Sequence, residues 1–409
     1  MLSIGSLSVM SPIARLPQRR RIALLIETSR AYGRSVMRSI AEYARHHGQW
    51  SFYFEQRQTG ESPPDWLESW DGDGIISRVD DDALASAIRR TGLPAVDLRG
   101  ITRLGLPVVK ADDAAISALV FEHFAERGFP RVAFCGYAGV PYSERRLEHF
   151  VRQARHAGLS CWSYQSDPQK PAMRQREIEC LGVLHEPALD DWLRSLPKPV
   201  GLMACNDVRG QQILNSCRAI GIDVSEQIAV VGVDNDEMLC ELSNPPLSSV
   251  QLDTRQTGFA AARLLSRMMD GEHPPARPIL IPPQGIMIRQ SSDVLAADDA
   301  DVAAALRCIR NGATNGIEVA DIAKFVGIGR RTLERRFSKC LGKTINELIV
   351  KTRLDQAKML LTDTDWPIKK VADRSGFCFS QYFSVVFKRE TGMAPRAYRQ
   401  RHRAKPNAP

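Results

Sequence analysis

The 409-residue sequence has no C-x-x-C pair and no Cys/His cluster at metal-ligand spacing. That excludes the common structural zinc sites and the thioredoxin-like redox motif. Its nine cysteines are scattered and odd in number, as expected of reduced thiols rather than a disulfide framework. No apolar run approaches the ~20 residues of a membrane-spanning helix. The first ten residues, MLSIGSLSVM, lack a basic segment and a small-residue cleavage site, which argues against a secretory signal. Walker A, strand-following G-x-G-x-x-G and G-x-S-x-G signatures are absent too, so neither an enzyme nor a bound cofactor is expected. His46 and His47 read as a solvated pair at a helix end. The expectation is a cytoplasmic chain with no membrane contact.

What is present is a composition of 44% hydrophobic and 25% charged residues, in a chain long enough for two or three domains. The net charge of +8 is unevenly spread: residues 317–403 hold 19 Lys/Arg against 9 Asp/Glu, and residues 1–316 hold 35 against 38. A mildly acidic large part therefore carries a strongly basic small part. That asymmetry points to an anionic polymer as partner of the C-terminal part.

From residue 21 the pattern alternates between two periods. The runs RIALLIE (21–27), WSFYFE (50–55), GIIS (74–77), RVAFCG (131–136), VGLMA (200–204) and IAVVGV (228–233) read as strands buried on both faces. Between them lie amphipathic stretches such as Ser35–His47, Asp113–Gly128, Asp207–Gly221 and Thr254–Gly271, several ending at glycine. Alternating signals of this kind predict βαβ units and parallel sheets. So many units over 21–292 predict two lobes, with ligands bound beyond the carboxyl ends of the strands. After PILIPPQGIMIRQSSD (278–293) comes the small, acidic VLAADDAD (294–301), and everything beyond is helical in pattern. The domains expected are a tail at 1–20, a two-lobed α/β domain at 21–292, a linker at 293–300, a helical domain at 301–403 and a tail at 404–409.

The helical part repeats itself. Ala323 and Gly327 recur as Ala372 and Gly376; Leu333 and Phe337 recur as Phe383 and Phe387; Gly342 recurs as Gly392. Alanine permits close helix approach, and glycine supplies the positive φ of a tight inter-helix turn. The pattern predicts two helix-turn-helix units.

Residues 317–399 resemble the AraC family of DNA-binding domains. They carry VADIAKFVGIGRRTLERRF and, later, G-F…S-Q-Y-F…F-K-R-E-T-G-x-x-P-x-x-Y-R. Gly329 departs from that family's usual serine helix cap. Residues 21–292 resemble the type I periplasmic-binding-protein fold of LacI/GalR regulators, through ACNDVRGQQIL (204–214), IAVVGVDNDEM (228–238) and PPQGIMIRQSS (282–292). The two resemblances imply an α/β two-lobed, periplasmic-binding-protein-like domain followed by an all-α domain with two helix-turn-helix units. The combination is similar to regulators of the xylose-operon type. It implies a sequence-specific transcription regulator, expected to be an activator, under the control of a small sugar such as a pentose. The implied partners are double-stranded DNA, the sugar effector, a second copy of the chain and RNA polymerase. The alternative is a DNA-binding regulator whose sensor domain is only a dimerisation scaffold or takes a non-sugar ligand.

At about 100° per residue, Leu333 and Phe337 set the buried side of the first recognition helix. Arg331 and Arg335 then point away from the core, Arg330 and Glu334 lie on one flank, and Arg336 lies nearer the core as a phosphate contact or a structural residue. In the second unit Gln381, Ser384 and Lys388 face outward, with Ser380 at the helix start. Arginine suits guanine, glutamine adenine and glutamate cytosine, whereas Lys and Ser more often meet phosphates. For the effector, the LacI-type resemblance points to Arg146, Asn206, Asp207 and Asp234, with Ser29, Arg30 and Tyr32 from the other lobe. Carboxylates and arginines suit sugar hydroxyls by accepting and donating several hydrogen bonds each. The bland readings are a helix cap for Asp207, a turn for Asp234 and a surface ion pair for Arg146. Trp50, Trp66 and Trp192 read as packing residues.

Overall fold

The computed structural model describes residues 19–47, 50–58, 61–79, 81–101, 105–165, 186–294 and 299–402. The expected tails fall almost wholly outside these residues, as do residues 295–298 of the expected linker.

The first lobe holds β1 (Arg20–Leu25), α1 (Ala31–His47), β2 (Trp50–Phe54), β3 (Gly74–Ser77), α2 (Asp82–Arg90), β4 (Ala95–Asp97) and β5 (Val109–Ala111). Its sheet runs β2-β1-β3-β4, all parallel. An Asp97–Val108 bridge leads on to β5. The second lobe follows with α3 (Asp113–Glu126), β6 (Val132–Gly136), α4 (Pro141–His156), β7 (Cys161–Gln165), α5 (Pro187–Ser195), β8 (Val200–Ala204), α6 (Asp207–Ala219), β9 (Ile228–Val233), α7 (Glu237–Leu242) and β10 (Ser248–Gln251). The chain then returns to the first lobe as α8 (Thr254–Met269) and β11 (Ile279–Ile281), the latter paired with β5, and ends in the second lobe as β12 (Gly285–Met287). The second sheet runs β12-β10-β9-β8-β6-β7, with β12 antiparallel to β10.

Among the described residues three crossings join the lobes, at 111–113, 251–254 and 281–285. Pro282 and Pro283 form the third, since a proline pair has no N–H to add to either sheet. Strands β6, β8 and β9 are buried at every residue, as their unbroken apolar runs predict. Each buried Val, Leu, Ile or Phe there contributes roughly 1.5–3 kcal/mol. WSFYF corrects the expectation of burial on both faces. It is an edge strand paired only with β1, and Ser51, Tyr53 and Phe54 are exposed. Its aromatic content set the strand type, and edge position set its exposure. Trp66 packs edge-on against both Tyr53 and Trp70, and Trp192 packs against Tyr164.

The C-terminal domain is helical throughout its described residues: α9 (Ala300–Gly312), α10 (Val319–Val326), α11 (Arg330–Leu341), α12 (Ile345–Asp363), α13 (Ile368–Arg374), α14 (Ser380–Thr391) and α15 (Pro395–His402). Asp299 caps α9 by accepting from the Asp301 and Val302 amides. Two cores form. One gathers Ile309, Ile322, Leu333, Phe337 and Ile349; the other gathers Leu354, Leu361, Phe377, Phe383 and Phe387. Gly327 and Gly376 turn the chain at φ of 80° and 84°, the left-handed region that glycine enters at least cost.

Candidate ligand cleft and nucleic-acid interface

The carboxyl ends of β1, β3, β4 and β5 in the first lobe and of β8, β9 and β10 in the second meet at the gap between the lobes. The gap holds a cavity of about 90 Å3. After β1 come Arg30 and Tyr32; after β3, Arg78; after β4, Arg99; on and after β5, Lys110 and Asp113. From the second lobe come Tyr142, Arg145 and Arg146 on α4, Asn206 and Asp207 after β8, and Asp234 and Asp236 after β9. The structure thus brings six of the seven expected effector residues to one cavity. Ser29 is the exception: it is exposed in the bend before α1 and does not line the cavity. Its sequence neighbour Tyr32 is directed inward because α1 starts at Ala31, a turn earlier than the amphipathic pattern predicts.

These side chains are held by one another. Asn206, not Asp207, is the N-cap of α6: its Oδ1 accepts from the Arg209 amide at 2.9 Å, and its Nδ2 donates to the Tyr142 hydroxyl at 2.9 Å. Asp207 is fully buried, accepting from the Ser249 hydroxyl at 2.5 Å and the Asp236 amide at 2.8 Å. Burial, reinforced by the Asp234 charge, holds the Asp207 carboxyl well above the usual carboxylate range. A Cβ on Gly232 would lie 2.3 Å from Asp207 Oδ1, so the β9 glycine makes room for this carboxylate.

Asp234 has φ 115° and the next residue, Asn235, φ 48°. A non-glycine residue held there stores roughly 1–3 kcal/mol of strain, a feature that clusters at functional sites. Arg146 is no surface ion pair. It is buried, donates from Nε to Asp113 Oδ1 at 3.1 Å and from Nη1 to the Cys205 carbonyl, and lies over the Tyr142 ring. Arg145 donates to the other Asp113 oxygen at 2.7 Å, with Lys110 at 3.8 Å. Burial and the neighbouring Arg145 push the Lys110 ammonium down from its ordinary range. Burial likewise pushes the Tyr32 hydroxyl up to about 12, so it stays protonated and able to donate. Arg78, Arg99, Lys110, Asp113, Tyr142 and Asp236 escape the sequence reading. For Arg78, applying the strand-end rule to GIIS would have found it. β4 and β5, at three residues each, are too short to stand out.

The second candidate site is exposed. Arg331 and Arg335 project from α11, and Gln381 and Lys388 from α14, all four exposed to solvent. Ser380 opens α14 and Ser384 is half-buried, donating back to the Ser380 carbonyl at 2.9 Å. Arg330 and Glu334 pair with each other at 2.9 Å across one helical turn. Arg336 resolves to a structural role: it binds Asp299 at 2.7 Å and Asp301, fastening α11 to the start of α9. Gly329 caps α11 with extended backbone and no side-chain hydrogen bond, as its departure from serine predicts.

Three known domains match this chain. Residues 21–103 match the XylR N-terminal domain, 121–292 the periplasmic binding protein-like domain and 322–401 a helix-turn-helix domain. The xylose operon regulatory protein of Escherichia coli (strain K12) is 32% identical over 394 residues, covering 93% of this chain and 97% of its own. That of Haemophilus influenzae is 30% identical over 388 residues, covering 93% and 98%. A solved structure of a xylose-binding transcription activator, xylR, is 31% identical and superposes with a TM-score of 0.70 over 95% of this chain and 100% of its own. The chain therefore belongs to the xylose operon regulator family: DNA-binding transcription regulators that join a periplasmic-binding-protein-like sensor to an AraC-type helix-turn-helix domain.

Proposed function

We propose that this regulator switches transcription in response to a pentose, with xylose the first candidate, bound between the sensor lobes by Arg146, Asn206, Asp207 and Asp234 and covered by Arg30 and Tyr32. The observation that carries the reading is the cavity itself, where arginines from both lobes meet carboxylates of the second lobe at the strand carboxyl ends. A sugar touching both lobes favours the closed arrangement, and only such preference can turn binding into regulation. Helix α3 supplies a route. It begins at Asp113 in the cleft and, about 14–20 Å on, presents Glu122, His123 and Glu126 to a second cavity of about 770 Å3 that Lys351, Asp355 and Met359 of α12 also line. The DNA-contacting residues of the proposal are Arg330, Arg331, Glu334, Arg335, Ser380, Gln381, Ser384 and Lys388. The protein acts as a cytoplasmic homodimer that contacts RNA polymerase, without catalysis of its own. In support, the relatives it matches are operon regulatory proteins and residues 322–401 match a helix-turn-helix domain.

Thermal unfolding against a pentose and hexose panel tests the effector, since a ligand bound only to the folded state raises the melting temperature. The expected result is a rise with xylose or a close relative that Asp234→Asn abolishes. No rise with any sugar overturns the effector assignment and favours the scaffold reading.

A further inference from the structure

The two recognition helices are copies in geometry and opposites in chemistry. Each has 12 residues and ends at a left-handed glycine, Gly342 or Gly392. Leu333 and Phe337 in α11, and Phe383 and Phe387 in α14, are fully buried at equivalent positions and fix the same rotational phase. At that phase Arg331 corresponds to Gln381, Arg335 to Val385 and Ser338 to Lys388. Arg335 and Val385 therefore occupy the same outward position, one a guanidinium and the other a hydrocarbon. Val385 is 68% exposed and lies one turn from both Gln381 and Lys388, so any surface that covers those two covers it as well. Tyr382, 54% exposed, flanks it.

An isolated surface valine needs no explanation, but one centred between a glutamine and a lysine on a recognition helix does. Arginine at both outward positions of α11 matches the paired acceptors of guanine. Glutamine matches the N6/N7 edge of adenine, and a bare isopropyl group matches the 5-methyl of thymine, the one apolar feature on any base edge in the major groove. We propose that the two units read different base types: α11 a G·C-containing box, and α14 an A·T box in which Val385 packs on a thymine methyl and Gln381 bonds a neighbouring adenine. Val385 is the specificity-determining residue of the second box. The assignment rests on the reading of α11 and α14 as the DNA-contacting helices.

The full-length protein, selected against a pool of random-sequence duplexes, supplies the operator for the test. Each thymine of the selected duplex is then replaced in turn by uracil, which deletes only the methyl group. At one thymine of the A·T box the wild type should lose affinity about fourfold, the worth of one buried methyl. Val385→Ala should bind thymine and uracil duplexes there alike, while Arg335→Ala keeps the discrimination. Val385 makes no core contact, so the variant's melting temperature should match the wild type.

Failure to enrich any sequence overturns the DNA-face reading and the inference with it. Enrichment of two G·C boxes, or indifference of the wild type to uracil, overturns the inference alone. Uracil discrimination that survives Val385→Ala removes Val385 from the contact. Unchanged DNA binding with lost transcription activation would make the patch a protein-docking surface instead.

Discussion

The cleft and the proposed DNA-facing surface both rely on charged and amide side chains, in opposite physical settings. In the cleft, Arg146, Asn206 and Asp207 are buried and already bonded to protein groups. On α11 and α14, Arg331, Arg335, Gln381 and Lys388 project into water and are held apart from the core only by helical phase. A buried polar group costs stability unless it is paired, so the cleft must be a network. An exposed one costs almost nothing, so the DNA face can be a row of separate side chains. The cleft is thereby coupled to folding, and the DNA face is close to independent of it.

Truncation is the strongest way to break this contrast. Arg146→Ala leaves Asp113 and the Cys205 carbonyl short of a donor, and should destabilise the sensor domain by about 3–5 kcal/mol in urea unfolding. A loss below about 1 kcal/mol would mean the network is not coupled to folding. Arg331→Ala should do the reverse, leaving stability within ~0.5 kcal/mol while weakening operator binding by about 1–3 kcal/mol in titrations at fixed salt.

Acid sharpens the same contrast. Burial, with Arg127 adding its charge, pushes the His123 pKa down to about 3. The unfolded chain accepts this proton near pH 6.5 and the folded chain does not. The contribution is therefore fully present above pH 6.5 and is lost as pH falls toward 3, reaching about 2 kcal/mol at pH 5. Denaturant titrations at pH 5 and 7.5 should show that difference. His123→Gln, which can keep the hydrogen bond to Ser292, should flatten it.

Two smaller effects follow. Asp234→Gly relieves the strained φ and the charge facing Asp207, so the sugar-free protein should gain about 1 kcal/mol. The same variant should show no sugar-dependent rise in melting temperature. Gly329→Ser restores a capping hydroxyl where an added Cβ meets nothing within 4 Å. It should stabilise the helical domain by a few tenths of a kcal/mol, read as a small shift in the melting curve.

Legibility divides along the same line. Arg331 and Arg335 could be assigned outward from Leu333 and Phe337 alone, because one helix carries both its core side and its exposed side. Arg336 shows the limit of that reasoning: its phase was right, but its partners Asp299 and Asp301 lie more than 30 residues away in sequence. Strands such as VGLMA and IAVVGV were plain because burial on both faces demands unbroken apolar runs. The edge position of WSFYF was not, since an aromatic edge strand and an aromatic core strand are written alike. Asp207 and Asp234 stood out by following such runs. Arg99, Lys110 and Asp113 did not, because short strands leave no periodic trace.

From the sequence by itself came the order of the domains, the two-period α/β pattern, the doubled helix-turn-helix unit and the outward face of each recognition helix. These are all consequences of local periodicity. Tertiary structure alone decided that Asp113 and Arg146 pair in the wall of the cleft, that Asn206 rather than Asp207 caps its helix, and that Ser29 stays outside. Those outcomes depend on which strand ends converge across the gap, and convergence is a property of two folded sheets that no single stretch of chain contains.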